Sequence, residues 1–249
     1  MSDTREHDQN PVPDLRLNKY IASCGICSRR EADRLIDDGQ VTVNGETAVQ
    51  GMIVKAGDTV KVKGKLISLP ERKIVVAYYK PAGVTCTAGD PHAGKTLKDV
   101  FSYPVRLTYA GRLDQDSEGL LLMTNDGDLI DRMMRGSAGH EKEYIVRVRR
   151  KISDQDLRLM EKGIWLKELE VKTAPCKIKR LGEYTFSIVL TQGLNRQIRR
   201  MVKAVGNEIR FLKRVRVLTV KLEDMKPGEQ RTLSAAQLKE LYDAAYERR

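Results

Sequence analysis

The sequence predicts an α+β protein: a small unit of two helices and a hairpin, followed by a larger unit with a mixed, mostly antiparallel sheet and flanking helices. Apolar runs that indicate strands, such as Ile74–Tyr79 and Leu120–Met123, are separated irregularly by helical patterns. Few of them form the strand–helix–strand units that a parallel sheet requires. The polar stretch Pro70–Lys73 separates the two parts and indicates a linker.

Composition favours a polyanionic partner. The chain has 249 residues, 41% of them hydrophobic, with a net charge of +11 and a pI of about 9.5. A basic excess of this size is typical of nucleic-acid-binding proteins. Residues 1–14 are polar, so we expect a disordered leader rather than a secretory signal. The apolar runs are far shorter than the ~20 residues that span a bilayer, so we expect no membrane association.

The cysteines and histidines predict neither a disulfide framework nor a metal site. Four cysteines are too few for a disulfide scaffold in a chain of this length. Cys24 and Cys27 have metal-ligand spacing, but no second close pair follows them, and zinc would need two more ligands. We therefore interpret them as small residues at a helix end and expect free thiols in a reducing cytoplasm.

The N-terminal unit is predicted over residues 15–69. Leu17, Tyr20 and Ile21 recur at helical spacing before Gly25, and Ser28 to Glu31 has the pattern of a capping box that opens a second helix. Ala32, Leu35 and Ile36 form the apolar face of that helix, which ends at Gly39. Two alternating valine runs follow: Val41 and Val43 before the tight-turn pair Asn44-Gly45, then Val60 and Val62.

The signature of this unit is Leu17-Asn18-Lys19-Tyr20, then Ser28-Arg29-Arg30-Glu31-Ala32, then Val41-Thr42-Val43-Asn44-Gly45. This order resembles the S4 RNA-binding domain. The resemblance implies RNA contacts from basic residues in or beside the two helices, since arginine and lysine bind phosphate. The alternative is an ordinary solvated helix face, because Asp33, Asp37 and Asp38 lie close by. The predicted RNA-contacting residues are Arg16, Lys19, Arg29, Arg30 and Arg34.

The larger unit is predicted over residues 74–249. A turn at Lys80–Gly83 and a polar loop at Asp90–Lys95 follow the first strand, and the turn Asn125–Asp128 follows the buried strand Leu120–Met123. Further strands are predicted at Lys142–Arg150 and Tyr184–Leu190. Helices are predicted from Leu129, over Ser153–Gly163, and from Ser234, where Gln237 completes a capping box.

One string in this unit carries several polar side chains on a turn. It runs Gly111-Arg112-Leu113-Asp114-Gln115-Asp116-Ser117-Glu118-Gly119 and leads into the buried strand. An aspartate in a turn is by itself usually structural, because it bonds its own backbone. Asp116, Ser117 and Glu118 are expected to fix the loop by hydrogen bonds. Asp114 and Asp116 also suggest a two-carboxylate hydrolase, a mechanism that their separation in space decides.

A second string, Thr191-Gln192-Gly193-Leu194-Asn195-Arg196-Gln197-Ile198-Arg199-Arg200-Met201, predicts a strand end followed by a basic helix. Ile198, Met201, Val202 and Val205 recur at helical spacing and predict its buried face. Between Asn195 and Arg216 there are eight Arg or Lys residues and one acid, so the segment carries 8 − 1 = +7. A solvated helix would mix both signs, so this bias favours one phosphate-binding region.

These strings, together with Lys142-Glu143-Tyr144, resemble the motifs of the S4-domain ribosomal RNA pseudouridine synthases, and the details are similar to the RluF-type large-subunit branch. The resemblance implies that Asp114 is the catalytic aspartate, that Arg199 pairs with it and favours its charged form, and that Tyr144 packs on the target base. Taken alone, Tyr144 fits a core residue equally well. The further residues for which it implies RNA contact are Lys80, Arg112, Asn195, Arg196 and Arg200.

The resemblance also implies an isomerisation that needs no cofactor, and neither a GxGxxG string nor a P-loop occurs in the sequence. A monomer that acts on ribosomal RNA in the cytoplasm is expected. Two alternatives stay open at this point. A non-catalytic S4-type RNA-binding factor would explain the charge, and a nucleoside or glycoside hydrolase would use Asp114 and Asp116.

Overall fold

The computed structural model of the chain describes residues 14–87, 94–134 and 139–247. Their contacts divide the chain into two compact units, residues 1–73 and 74–249. Apart from Asp14, the predicted leader lies outside the described residues, as does most of the loop predicted at Asp90–Lys95.

The N-terminal unit contains two short helices and six short strands in its described part, residues 14–73. Val41, Val60 and Ile21 are fully buried in its core, and the strand pairs follow the predicted alternation. The elements are β1 (Leu15–Arg16), α1 (Leu17–Ser23), α2 (Arg29–Asp37), β2 (Val41–Val43), β3 (Glu46–Thr47), β4 (Ile53–Val54), β5 (Val60–Val62) and β6 (Lys65–Leu66). Strand β2 lies between β3 and β5, β6 lies outside β5, and β1 pairs with β4.

The predicted cap of α2 is half correct. The Ser28 hydroxyl accepts a hydrogen bond from the Glu31 backbone N–H at 3.2 Å, as a helix N-cap does. The Glu31 carboxylate does not reach back to Ser28 as predicted. It instead accepts a hydrogen bond from Arg34 at 3.4 Å, one turn along the helix, because the two side chains are neighbours on the same helix face.

The second unit contains the main sheet and five helices among its described residues. The strands are β7 (Val75–Lys80), β8 (Val84–Thr85), β9 (Lys95–Thr96), β10 (Thr108–Ala110), β11 (Glu118–Thr124), β12 (Lys142–Val148), β13 (Trp165–Leu166), β14 (Val171–Lys172), β15 (Lys177–Arg180), β16 (Thr185–Leu190), β17 (Ile209–Val217), β18 (Val220–Lys221) and β19 (Gln230–Thr232). The helices are α3 (Leu97–Val100), α4 (Gly127–Met134), α5 (Asp154–Glu161), α6 (Gln197–Ala204) and α7 (Ala235–Tyr246).

The main sheet has the strand order β15-β16-β12-β17-β11-β7-β19, with β10 beside β11 and β18 beside β17. Within the described residues, its pairings are antiparallel except for β11 with β17. That parallel contact aligns Glu118 with Lys213 and Gly119 with Arg214. The predicted α+β class with a mixed, mostly antiparallel sheet is confirmed.

Helices cover both faces of this sheet. Leu120 and Leu122 of β11 face α4 and α7, whereas Leu121 and Met123 face the side of α3. At the other end, β12 and β16 pack with α5 and α6. Strand β11 is therefore buried on both faces, which explains its unbroken apolar run. No helix in the described ranges is long and apolar enough to cross a membrane.

Candidate active site

The Asp114 loop connects β10 to β11 and is fixed at several points. Gly111 adopts a φ of +88°, a conformation that glycine tolerates best. The Ser117 N–H donates to the Asp114 carbonyl at 3.1 Å, and the Gly83 N–H donates to the Gln115 carbonyl at 2.7 Å. The Leu113 side chain is buried beneath the loop. The loop therefore presents the Asp114 side chain, which is 32% exposed, from a rigid base.

Two arginines from the start of α6 hold this loop. Arg199 Nη2 donates to the Ser117 hydroxyl and to the Asp116 carbonyl, both at 3.0 Å. Both guanidiniums also pair with the Asp116 carboxylate, at 3.2 Å for Arg196 and 3.0 Å for Arg199. Their distances to Asp114 Oδ2 are longer, 3.6 Å each. Asp114 thus lies within the field of two cations, yet its short contacts remain available for a substrate.

Tyr144 lies on the floor of a cleft of about 470 Å³ beside this loop. In the sheet register it stands opposite Arg214 of β17 and Ile188 of β16. The predicted catalytic set of Asp114, Tyr144 and Arg199 is thus brought together, since all three line the cleft. The charged side chains of its described lining are five basic and one acidic: Arg112, Lys142, Arg196, Arg199 and Arg214 against Asp114.

This geometry suits a planar, polar ligand attached to an anionic chain. A ring placed on Tyr144 would lie between the sheet floor and the Asp114 loop. The basic excess favours phosphate near the rim. The described residues contain no cluster of three or more His, Cys, Asp or Glu side chains that could hold a metal ion.

Comparison with known proteins agrees with this geometry. Residues 74–204 match the sequence profile of the RNA pseudouridylate synthase family, and residues 15–60 match that of the S4 domain. The chain belongs to the RNA pseudouridine synthase family. The match covers the Asp114 loop, Tyr144 and Arg199, so the family prediction is confirmed and the family assignment favours the enzyme over a non-catalytic binding factor.

Individual relatives cover most of the chain. The dual-specificity RNA pseudouridine synthase RluF of Escherichia coli (strain K12) is 42% identical, over 93% of this chain and 80% of that protein. The ribosomal large subunit pseudouridine synthase B of Bacillus subtilis (strain 168) is 38% identical, over 91% of this chain and 95% of that protein. A crystal structure of a pseudouridylate synthase matches with a TM-score of 0.67 and 29% identity, covering 91% and 99% of the two chains.

Lys80 does not have the surface position that RNA contact requires. Its side chain is fully buried, and its ammonium donates to the Pro81 and Val84 carbonyls at 2.8 Å each. Burial is the main cause that lowers the pKa of Lys80 below its usual range. The prediction of an RNA contact is therefore wrong in this structure. Lys80 instead shapes the turn whose Gly83 N–H binds the Asp114 loop.

The residue before it, Tyr79, has an unexpected partner. Its hydroxyl donates to the Glu118 carboxylate at the start of β11. Burial, followed by this hydrogen bond, raises the pKa of Tyr79 well above its usual value. Glu118 therefore fixes the strand that follows the loop, in agreement with its predicted structural role.

The predicted RNA contacts around the cleft differ in their surroundings. Arg112 and Asn195 are exposed and line the cleft. Arg196 is also exposed but is paired with the site aspartates. Arg200 is held by its own loop, since Nε donates to the Asn195 carbonyl at 3.0 Å and Nη1 pairs with Glu168 at 3.4 Å. Arg200 thus fixes the Asn195 turn. Its contact with RNA stays a prediction.

The basic segment 195–216 is not one phosphate-binding face. Its second half is strand β17, whose side chains alternate between the two faces of the sheet. Arg214 is buried, and Arg216 pairs with Glu141 at 3.1 Å and with Glu143 at 3.0 Å. Two of its eight cations are therefore taken up inside the unit, and phosphate binding by the other six stays a prediction.

The S4-type unit carries its predicted cations mostly on the surface. Arg16, Arg29, Arg30 and Arg34 are exposed, and Lys19 is partly buried. Beside them, the Asn18 amide donates to the Asp33 carboxylate at 2.9 Å, which connects α1 to α2. One of the nearby acids thus has a structural role, since it joins the two helices.

Two cleft residues received no individual role from the sequence. Lys142 lies two positions before Tyr144 on β12, so the alternation of a strand puts both side chains on one face of the sheet. Arg214 was counted only as a charge. Its Nε donates to the Leu120 carbonyl at 2.7 Å and its Nη1 to the Arg112 carbonyl at 3.3 Å. These partners lie about a hundred positions away in sequence, and no local pattern indicates them.

Proposed function

We propose that this synthase converts a uridine of large-subunit ribosomal RNA to pseudouridine, with Asp114 as the catalytic carboxylate. The observation that carries the proposal is the position of Asp114, a partly exposed carboxylate beside two guanidiniums on a cleft floored by Tyr144. The names of two relatives, a dual-specificity RNA synthase and a ribosomal large subunit synthase, support the choice of substrate.

The reaction exchanges one bond for another within the nucleotide. The N1–C1′ bond breaks, the base turns, and C5 bonds to C1′. The C5 hydrogen leaves as a proton and N1 gains a proton, so nothing is oxidised or reduced. Asp114 acts either as a nucleophile at C1′ or as the base that removes the C2′ proton. In both routes the electron pair of the broken bond leaves with the uracil.

The target nucleotide must leave its stack to reach this carboxylate, because the glycosidic bond is inaccessible inside a helix. Tyr144 then supports the base from the floor of the cleft. Stacking on an aromatic ring contributes ~1–3 kcal/mol per base, which offsets part of the cost of unstacking. Arg199 fixes the loop through Ser117 and Asp116 and holds its charge beside Asp114.

RNA docking uses the cations around this chemistry. Arg112, Asn195 and Arg196 are proposed to contact phosphates at the rim of the cleft, with Arg200 holding the Asn195 turn. The S4-type unit supplies a second contact surface through its exposed arginines. Such contacts orient the RNA without reading its sequence. We propose that the enzyme acts as a monomer in the cytoplasm.

Mapping of pseudouridines in cellular RNA tests the proposal. Ribosomal RNA from cells that lack the gene would be treated with a carbodiimide, which marks pseudouridines as primer-extension stops. We expect at least one stop in large-subunit RNA to disappear, to return with the wild-type gene, and not to return with Asp114→Asn. Rescue by Asp114→Asn would contradict the role of Asp114. A stop lost only from small-subunit RNA would contradict the substrate.

A further inference from the structure

Lys142 carries a positive charge inside the cleft with no carboxylate against it. Among the described residues, its ammonium has one hydrogen bond, to the His140 carbonyl at 3.3 Å. No acidic side chain in the described ranges forms an ion pair with it. The adjacent acids Glu141 and Glu143 are directed to Arg216 instead. Most buried or half-buried cations are paired, because an unpaired charge away from water is costly.

Arg214 is a second cation with an unused donor. The residue is 2% exposed, and its Nε and Nη1 atoms bind backbone carbonyls of the Asp114 loop and of β11. Its Nη2 atom is buried and has no hydrogen-bond partner within the part of the chain that the structure describes. A buried donor without a partner costs free energy, and the positive charge of this guanidinium adds to that of Lys142 in the cleft lining.

The two cations flank Tyr144 on the floor. Lys142 is two residues away on the same strand and the same face, a spacing of ~7 Å. Arg214 stands opposite Tyr144 on the neighbouring strand, beside a β-bulge that lies between Glu143 and Tyr144. A six-membered ring lying on Tyr144 would therefore have its edge within reach of Lys142 and would lie over the side of Arg214.

Burial is the main cause that lowers the pKa of Lys142 to about 8, and the charge of Arg214 adds to it. The amine is therefore mostly protonated at neutral pH. The amine is surrounded by one charged side chain, two apolar side chains and a backbone carbonyl. Arg214 is the charged neighbour on β17, Leu190 on β16 and Met133 on α4 are apolar, and His140 presents its backbone carbonyl. Asp114 and Arg199 lie across the same cleft.

We propose that Lys142, supported by Arg214, binds the uracil carbonyl oxygen on which negative charge collects when the N1–C1′ bond breaks. The inference rests on the proposed function, since it assigns a group to the leaving base of that reaction. The bonding electrons pass to the uracil and spread over its carbonyl oxygens. A cation fixed in advance at that position stabilises the transition state more than the neutral base. C5 then attacks C1′, and the charge disappears.

The position on the floor argues for the base and against a phosphate. The exposed cations Arg112 and Arg196 lie at the rim, where the RNA backbone would pass. Lys142 and Arg214 lie beside the aromatic ring that supports the base. Water largely screens charges at the rim. A base on Tyr144 would exclude water from Lys142 and Arg214 and so strengthen their electrostatic interaction with the base.

The test compares Lys142→Met and Lys142→Arg with a control, Lys239→Met, at an exposed position of α7 where the lysine pairs with Asp243. Single-turnover rate constants and dissociation constants would be measured on a synthetic RNA that contains the target uridine. We expect Lys142→Met to slow the reaction by about 100-fold or more while RNA affinity changes less than threefold. Lys142→Arg should retain a rate within tenfold of wild type.

Two further readouts separate this role from a structural one. The wild-type rate should fall as the pH rises through about 8, where Lys142 loses its proton, and Lys142→Arg should not show this fall. With 5-fluorouridine at the target, fluorine itself stabilises the uracil anion, so the defect of Lys142→Met in forming the rearranged nucleotide should shrink.

Three results would overturn the inference. One is a wild-type rate in Lys142→Met, and another is a loss confined to RNA affinity, which would indicate a phosphate contact. The third is an equal defect on uridine and 5-fluorouridine. The pH profile of the wild type needs no variant, so the inference is tested even if Lys142→Met fails to fold. Failure of the proposed function differs, because the wild-type enzyme would then form no pseudouridine.

Discussion

Two neighbouring aspartates in one loop have different surroundings. Asp116 takes the short contacts with Arg196 and Arg199, whereas Asp114 has no contact with them shorter than 3.6 Å. Asp116 thus holds the two guanidiniums in place, and the carboxylate of Asp114 is exposed to the cleft. This arrangement argues against a two-carboxylate hydrolase, since the second carboxylate is occupied by the arginines.

The unpaired charge of Lys142 predicts a gain in stability when it is removed. Lys142→Met should unfold at a higher urea concentration than wild type at pH 7. Its free energy of unfolding should be larger by about 1–2 kcal/mol. A fall in pKa from 10.5 to about 8 corresponds to an upper limit of about 3 kcal/mol, which partial solvent access reduces. Trp165 is the only tryptophan and lies in the second unit, so its fluorescence reports that unit.

The pH dependence of this gain has a definite sign. Below pH 8 the lysine is protonated in both states, and the folded state carries the whole cost of its charge. Between pH 8 and 10.5 only the unfolded chain keeps the proton, so wild-type stability rises relative to the variant. The difference between the two proteins should therefore vanish near pH 10.5. A difference independent of pH would show that packing, not charge, is its cause.

At the scale of elements, the parallel contact between β11 and β17 positions the Asp114 loop. Gly119 lies at the start of β11 with a φ of +108°, and a Cβ there would stand 2.3 Å from the Arg214 carbonyl oxygen. The backbones thus approach more closely than any other residue permits. The same contact places the Arg214 side chain where it binds the Leu120 and Arg112 carbonyls.

Gly119→Ala should therefore destabilise the second unit by about 3 kcal/mol or more, from the clash and the unfavourable φ together. Gly228→Ala is the matched control. Its φ is +90°, but a Cβ there would meet nothing within 4 Å, so about 1 kcal/mol is expected from φ alone. Urea unfolding followed by Trp165 fluorescence measures both. Equal losses would show that the close approach is not decisive.

Elements with local signals were predictable from the sequence. The cap at Ser28, the complete capping box at Ser234 and the buried face of α6 all lie where their patterns place them. The burial of Lys80 was not predictable, because β7 becomes an interior strand only by pairing with β11 and β19. The environment of Arg214 likewise depends on segments distant in sequence. Tertiary pairing decides whether a cation faces water or the interior.

At the scale of the whole molecule, the charge of +11 is divided between two units. In the N-terminal unit, Arg16 lies just before α1 and Arg30 lies on α2, and both side chains are exposed. If they contact phosphates, Arg16→Ala/Arg30→Ala should weaken RNA binding and reduce the salt dependence of affinity by roughly 1–2 units in log–log slope. The single-turnover rate at saturating RNA should not change, since the chemistry lies in the second unit.

The control for this variant is Lys61→Ala/Lys65→Ala, which removes the same charge from exposed positions on β5 and β6 of the same unit. Filter binding across a range of salt concentrations would compare both. If the two variants reduce the slope equally, the unit attracts RNA only through its net charge, and the S4-type helices have no special contact.

The central claim is that Asp114 isomerises a uridine, and the release of tritium from ribosomal RNA labelled at uridine C5 tests it most directly. Pseudouridine formation must expel that hydrogen, since C5 becomes bonded to C1′. Wild type should release tritium in proportion to the pseudouridine formed, and Asp114→Asn should release none while it still binds the RNA. Release by Asp114→Asn at the wild-type rate would contradict the account.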